Sequence, residues 1–251
     1  MSNLNGRTAI VTGGGQGIGR GIAMALARAG ARVVLFGRTE STLRAAQDDI
    51  AAFGGIAFPV VGDVTSQADR ERLVKQTLDQ FGAINILVNN AAFIPHNDQL
   101  LTIGESAIER AWQAGPVASL MLMRLCHPHL KGGGCVVNVS SAQSLNPAPG
   151  LGIYAAVKAA VNLISRSAAV EWGSDDIRVN TIMPFGESDA VKAHFTSNPE
   201  FAQATLATVP LGRVGDPELD IGRAAVFLAS EYSRYLTGAT LPLDGGTAYL
   251  R

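Results

Sequence analysis

The chain has 251 residues, of which 47% are hydrophobic and 16% charged, enough apolar material for one large domain or two small ones and too much for a disordered chain. A net charge of −1, with the basic residues dispersed, gives no footprint for nucleic acid or an anionic membrane. The N-terminus lacks the pattern of a signal peptide and no apolar run reaches the ~18 residues of a membrane span, so a cytoplasmic protein is expected.

In chain order, short apolar runs at 8–11, 33–36, 57–61, 84–88, 135–139, 178–182 and 239–243 alternate with helix-period segments at 17–30, 41–53, 66–81, 105–130, 152–172 and 216–230. Strands this apolar, separated by helices, predict an α/β fold: a single-domain, doubly wound parallel sheet of about seven strands, Rossmann-type, flanked by helices. No linker or repeat divides residues 1–251. The stretch 184–210, containing Pro, Ser and Asn, reads as an insertion overhanging the carboxyl ends of the strands, a substrate lid.

The first strand ends in Thr12 and runs into Gly13, Gly15, Gln16, Gly17, Ile18 and Gly19 before a helix rich in small residues. Glycines at such a turn let the main chain approach a pyrophosphate, and free N–H groups at the helix start favour its charge. The spacing Thr12-Gly13-x-x-x-Gly17-x-Gly19 resembles the cofactor turn of the short-chain dehydrogenase/reductase family. The resemblance continues through Asp63 and Val64 in "GDVT", Asn90 and Ala91 in "NNAA", Ser141 in "NVSS", Tyr154 and Lys158 in "YAAVK", and "YLTGATLPLDGG" near the C-terminus. With four tyrosines and four lysines in the chain, a Tyr with Lys at +4 is expected by chance about 0.06 times. One helical turn puts the two side chains on one face.

The resemblance implies an oxidoreductase that moves a hydride between a nicotinamide cofactor and a ketone or secondary alcohol. Tyr154 would be the general acid/base, Ser141 would hydrogen-bond the reacting oxygen, and Lys158 would bind the nicotinamide ribose. A neighbouring ammonium should also lower the Tyr154 pKa. Asp63 would bond the adenine, and Pro184 would also lie against the cofactor. The second strand ends in Phe36-Gly37-Arg38, with no acid for a ribose 2′-hydroxyl and a cation suited to a 2′-phosphate, so NADP(H) is expected over NAD(H). An NAD-dependent alcohol or sugar dehydrogenase is the alternative within the class, and a catalytically impaired nucleotide-binding regulator the alternative outside it. The family also implies a homotetramer or homodimer, built through the segments 105–130 and 152–172.

Three places depart from the family. Gly115 stands where relatives carry a catalytic asparagine, so only a main-chain role is left to it. Pro116 next to it cannot serve the Trp112 carbonyl and costs roughly 3 kcal/mol in a helix interior; the expectation is a broken helix with that carbonyl freed for a water. Ala92 replaces the glycine that ends Asn-Asn-Ala-Gly. After the sixth strand, Phe185 replaces a glycine, and Glu187, Ser188 or Asp189 fall where residues contacting the carboxamide are usual. Phe185 and Glu187, with His96 and Gln143 after strand ends, are the candidate substrate-pocket residues. No histidine or cysteine spacing suggests a metal, and Cys126 and Cys135 read as buried free thiols.

Overall fold

A computed structural model describes residues 3–95 and 99–248. Seven strands form one parallel sheet in the order β3-β2-β1-β4-β5-β6-β7. They are β1 (Thr8–Thr12), β2 (Arg32–Gly37), β3 (Ile56–Val61), β4 (Ile86–Asn89), β5 (Cys135–Val139), β6 (Arg178–Pro184) and β7 (Thr240–Leu243). Between them lie α1 (Gly17–Arg28), α2 (Glu40–Ala52), α3 (Gln67–Phe81), α4 (Glu105–Trp112), α5 (Ala118–Leu130), α6 (Gly152–Trp172), α7 (Asp189–Ser197), α8 (Pro199–Ala207) and α9 (Arg223–Ala229).

Every residue of β1, β4 and β5 is buried, which explains their unbroken apolar reading. Alternate strand residues feed two cores. Val11, Val33 and Val137 meet Ile22 and Leu26 of α1, Leu43 of α2 and Ala225 of α9. On the other face, Ile10, Leu87 and Val136 meet Leu73 of α3, Leu122 and Met123 of α5, and Ala168 of α6. The chain winds outward from β1 to β3, then crosses to β4 and winds the other way. The carboxyl ends of β1 and β4 therefore diverge at the point where a doubly wound sheet opens a crevice.

The elements follow the sequence pattern with three differences. The segment 184–210 is largely helical, as α7 and α8. The last helical segment opens with a π turn, Pro217–Gly222, capped by the Asp216 carboxylate, which accepts from the N–H groups of Glu218 and Leu219. This turn lies on α1, where a Cβ at Gly21 would come within 2.3 Å of Pro217, hence the small residues of that helix. Finally, the break at Gly115-Pro116 is a π turn, Gln113–Val117, joining α4 to α5. The Ala118 N–H donates to the Gln113 carbonyl five residues back. In that register the carbonyl at i belongs to the N–H at i+5, which assigns the Trp112 carbonyl to Val117 rather than leaving it free as the sequence suggested. Among the described residues no helix is long and apolar enough to cross a membrane.

Candidate active site

Thr12 ends β1 with its hydroxyl oxygen accepting from the main-chain N–H groups of Asn90 and Ala91, both at 3.0 Å. The Asn90 amide returns a bond to the Thr12 carbonyl at 2.9 Å, so the ends of β1 and β4 are stapled together. The glycine turn leaves this staple. Gly17 sits at φ +52°, left-handed backbone that suits glycine, and opens α1. A Cβ at Gly19 would lie 2.2 Å from the Gly13 carbonyl oxygen, so no side chain fits there. No side chain caps α1, and its first N–H groups are free to meet an anion.

A cavity of about 520 Å³ runs from this turn across the strand ends. Gly13, Gly15, Gln16, Gly17, Ile18, Gly19, Arg38, Asp63, Val64, Asn90, Ala91, Tyr154, Lys158 and Pro184 all line it, so the structure brings every cofactor candidate to one place. The Asp63 carboxylate accepts at Oδ1 from the Thr65 N–H and hydroxyl, both at 2.8 Å. Its own N–H donates to Asp69, whose carboxyl is held below the usual carboxylate range mainly by that bond and by Arg72. Arg38 is exposed and, among the described residues, pairs with no carboxylate. The mouth adds a feature the sequence did not signal: the Arg110 guanidinium lies 4.3 Å over the Phe93 ring, and both line the cavity.

At the other end, Tyr154 and Lys158 project from one face of α6. The Lys158 ammonium donates to the Val139 carbonyl at 2.7 Å and sits 5.7 Å from the centre of the Tyr154 ring. Burial pushes the Lys158 pKa down to about 8. Burial also pushes Tyr154 up, opposed by a hydrogen bond with the Ser141 hydroxyl. The lowering expected from Lys158 is therefore not what governs Tyr154 in this structure: the ammonium faces the ring and a carbonyl, and desolvation dominates. Ser141 opens a short 3₁₀ turn, its Oγ accepting from the Gln143 N–H at 3.2 Å. Next to it, the Ser140 hydroxyl donates to the Lys158 carbonyl at 3.1 Å.

Gly115 is buried in the π turn, and a Cβ there would meet Val157 of α6 at 3.6 Å, an ordinary contact. Phe185 lines the cavity as expected, but two other pocket candidates do not. The Gln143 side chain accepts from the Ala148 N–H at 2.7 Å and closes its own loop. Glu187 is exposed: its N–H donates to the Gly215 carbonyl, and Ser188 is the residue that faces inward. His96 lies outside the described residues. Cys126 and Cys135 are buried free thiols, raised by burial to about 12 and about 11. Among the described residues no cluster of His, Cys, Asp and Glu could hold a metal.

Residues 13–248 match the family model described as enoyl-(acyl carrier protein) reductase. The chain is also 39% identical to a 12alpha-hydroxysteroid dehydrogenase of Clostridium sp., over 98% of each chain. It belongs to the short-chain dehydrogenase/reductase family. As a member of that family it is an oxidoreductase acting between CH–OH and C=O groups. Solved structures agree in fold. A putative gluconate dehydrogenase of Agrobacterium tumefaciens superposes with a TM-score of 0.92 at 30% identity, over 99% of this chain and 98% of the other. A 3-oxoacyl-(acyl-carrier-protein) reductase of the same organism, with NADP bound, gives a TM-score of 0.90 at 31% identity, over 98% and 95%.

Proposed function

We propose that this short-chain dehydrogenase/reductase interconverts a ketone and a secondary alcohol with NADP(H), using Tyr154 as its general acid/base. The observation that carries the reading is the shared cavity: the glycine turn and Arg38 line the same 520 Å³ as Tyr154 and Lys158. The glycine turn, where a Cβ at position 19 would collide with the Gly13 carbonyl, and the start of α1, whose N-cap makes no side-chain bond, fit a pyrophosphate. A bound nicotinamide supplies or accepts the hydride. The protein's share is the proton. Tyr154 gives its hydroxyl proton to the carbonyl oxygen in reduction and takes one back in oxidation. Ser141 hydrogen-bonds the same oxygen, and Lys158 bonds the ribose beside it.

Arg38, exposed at the far end and, among the described residues, paired with no carboxylate, is the group for a 2′-phosphate. Asp63 takes the adenine and Pro184 borders the cofactor. The segment 184–210, with Phe185 at the cavity wall, serves as the substrate lid. Leu163 and Val170 of α6 are 62% and 84% exposed, an apolar face suited to pairing two copies of the chain. The hydroxysteroid dehydrogenase relative makes cyclic secondary alcohols the first substrates to try. At Gly115, the relay the family runs through asparagine is carried by main chain alone.

Fluorescence titration with NADPH and NADH tests the cofactor. Arg38→Ala should weaken NADPH about tenfold and leave NADH unchanged; equal loss for both, or none, overturns the assignment. On an accepted alcohol, Tyr154→Phe should cost about 10²–10⁴ in kcat. Binding of neither cofactor would overturn the cofactor assignment. Gly115→Asn should leave turnover flat or lower; a marked rise would mean that the relay is damaged.

A further inference from the structure

The turn that carries Ser141 is short, and a single 3₁₀ turn has weak hydrogen-bond geometry of its own. Two side chains outside the motifs reinforce it. The Ser144 hydroxyl donates to the Ser141 carbonyl at 2.7 Å, beside the main-chain bond from the Ser144 N–H to the same oxygen at 3.0 Å. With its one proton committed, the Ser144 oxygen accepts from the Asn162 amide at 3.0 Å. Asn162 is 5% exposed and sits on α6, one turn after Lys158 and two after Tyr154.

We propose that Asn162 and Ser144 are positioning residues: the chain Asn162–Ser144–Ser141 fixes the serine to the helix that carries Tyr154 and Lys158, so that the reacting groups move as one body. This inference rests on the proposed roles of Ser141 and Tyr154. The Asn162 amide ends on the Ser144 hydroxyl and that hydroxyl on the Ser141 carbonyl, so the helix reaches the main chain of the serine through one intermediary. The geometry is directional, since only an amide N–H at position 162 and only a hydroxyl at position 144 complete the chain.

The charged groups that share the cavity with Tyr154 are Lys158 on the same helix, Arg110 on α4, and Arg38 and Asp63 at the far end. Among the described residues none of them is hydrogen-bonded to Ser144 or Asn162. Removing either positioning residue therefore changes Tyr154 through Ser141, not through a new charge.

The test compares Ser144→Ala, Asn162→Ala, their double variant and Ser144→Thr, with melting temperature as the folding check. Each alanine variant should lower kcat about tenfold with NADPH affinity unchanged, and the double variant should be no worse than the more severe single. Ser144→Thr keeps the hydroxyl and should recover most of the rate. A readout that needs no substrate is the phenolate titration of Tyr154, followed by absorbance against Tyr154→Phe. Its midpoint should move up by about half to one pH unit in Ser144→Ala, as the Ser141 bond loosens. If Ser144→Ala does not fold, Asn162→Ala carries the same test. Folded variants with unchanged kcat and unchanged titration overturn the inference, as does full additivity. If Tyr154→Phe stays fully active, the reading of the site itself fails; if it is inactive while Ser144→Ala matches the parent, only this inference fails.

Discussion

Around the glycine turn the cavity is shaped by glycines packed against main chain, whereas around Tyr154 it is shaped by polar side chains held in hydrogen bonds. At the first end the shape depends on what is absent: a Cβ at Gly19 would overlap the Gly13 carbonyl, and the N-cap residue of α1 makes no side-chain cap. At the second end, Lys158 donates to the Val139 carbonyl, Asn138 donates to the Ser165 hydroxyl, and the Ser141 hydroxyl accepts from the Gln143 N–H. Asn138 of β5 donates to the Ser165 hydroxyl at 2.7 Å and accepts from Asn89 of β4 at 2.8 Å. The lesson is about direction. On the proposed roles, the nucleotide end should be damaged by adding atoms and the reaction end by removing them.

The largest effect expected is at the nucleotide end. Gly19→Ala should weaken NADPH on the order of 100-fold, because overpacking at 2.2 Å costs about 1–3 kcal/mol or more and the turn must shift to relieve it. Unchanged affinity by titration would break the comparison. Asn138→Ala should cost about 2–3 kcal/mol in urea unfolding, since it leaves the Asn89 amide and the Ser165 hydroxyl with lost partners in the interior. NADPH affinity of the folded variant should stay within about twofold of the parent; a large loss would show that the two ends are one unit.

Lys158→Met sharpens the contrast, because function and stability should move oppositely. The buried ammonium, at about 8 against an ordinary 10.5, is charged against its preference below pH 8. The folded state therefore bears the full penalty below about pH 8 and sheds it as pH rises towards 10.5. Methionine should raise stability by about 1–3 kcal/mol at neutral pH, with the gain shrinking through that window, while turnover is lost. Stability curves at several pH values decide it. The smallest effect is at Gly115, where a Cβ has room beside Val157: Gly115→Ala should add about 0.5–1 kcal/mol, read as a higher melting temperature.

What the sequence carries well is whatever spacing alone can determine. Apolar runs separated by helical periods gave the seven strands, with β6 running two residues further, to Pro184, because it pairs with β7. The glycine turn and the Tyr154–Lys158 turn of helix are local, so their residues arrive together. Side-chain choices made by loops are not in the spacing. Gln143 turns back to Ala148, Glu187 points outward, and Arg110 meets Phe93 across seventeen residues of chain. Pro116 announced a break in the long helix but not its kind, since an i+5 register has no residue signature of its own. Asn162 and Ser144 passed unnoticed because a polar residue on a helix face looks the same whether it meets water or the loop beside it.

The Thr12–Asn90 staple also fixes when the nucleotide end can form. Its partners are 78 residues apart, and β2, α2, β3 and α3 lie between them. The glycine turn looks like a local loop, yet it is closed by a contact of high sequence separation, whose loop-closure entropy must be met before the turn is held. A chain emerging from the ribosome thus has all the glycines of the turn well before Asn90 is there to hold it. On the proposed site, nucleotide binding should therefore require β4 to be docked against β1.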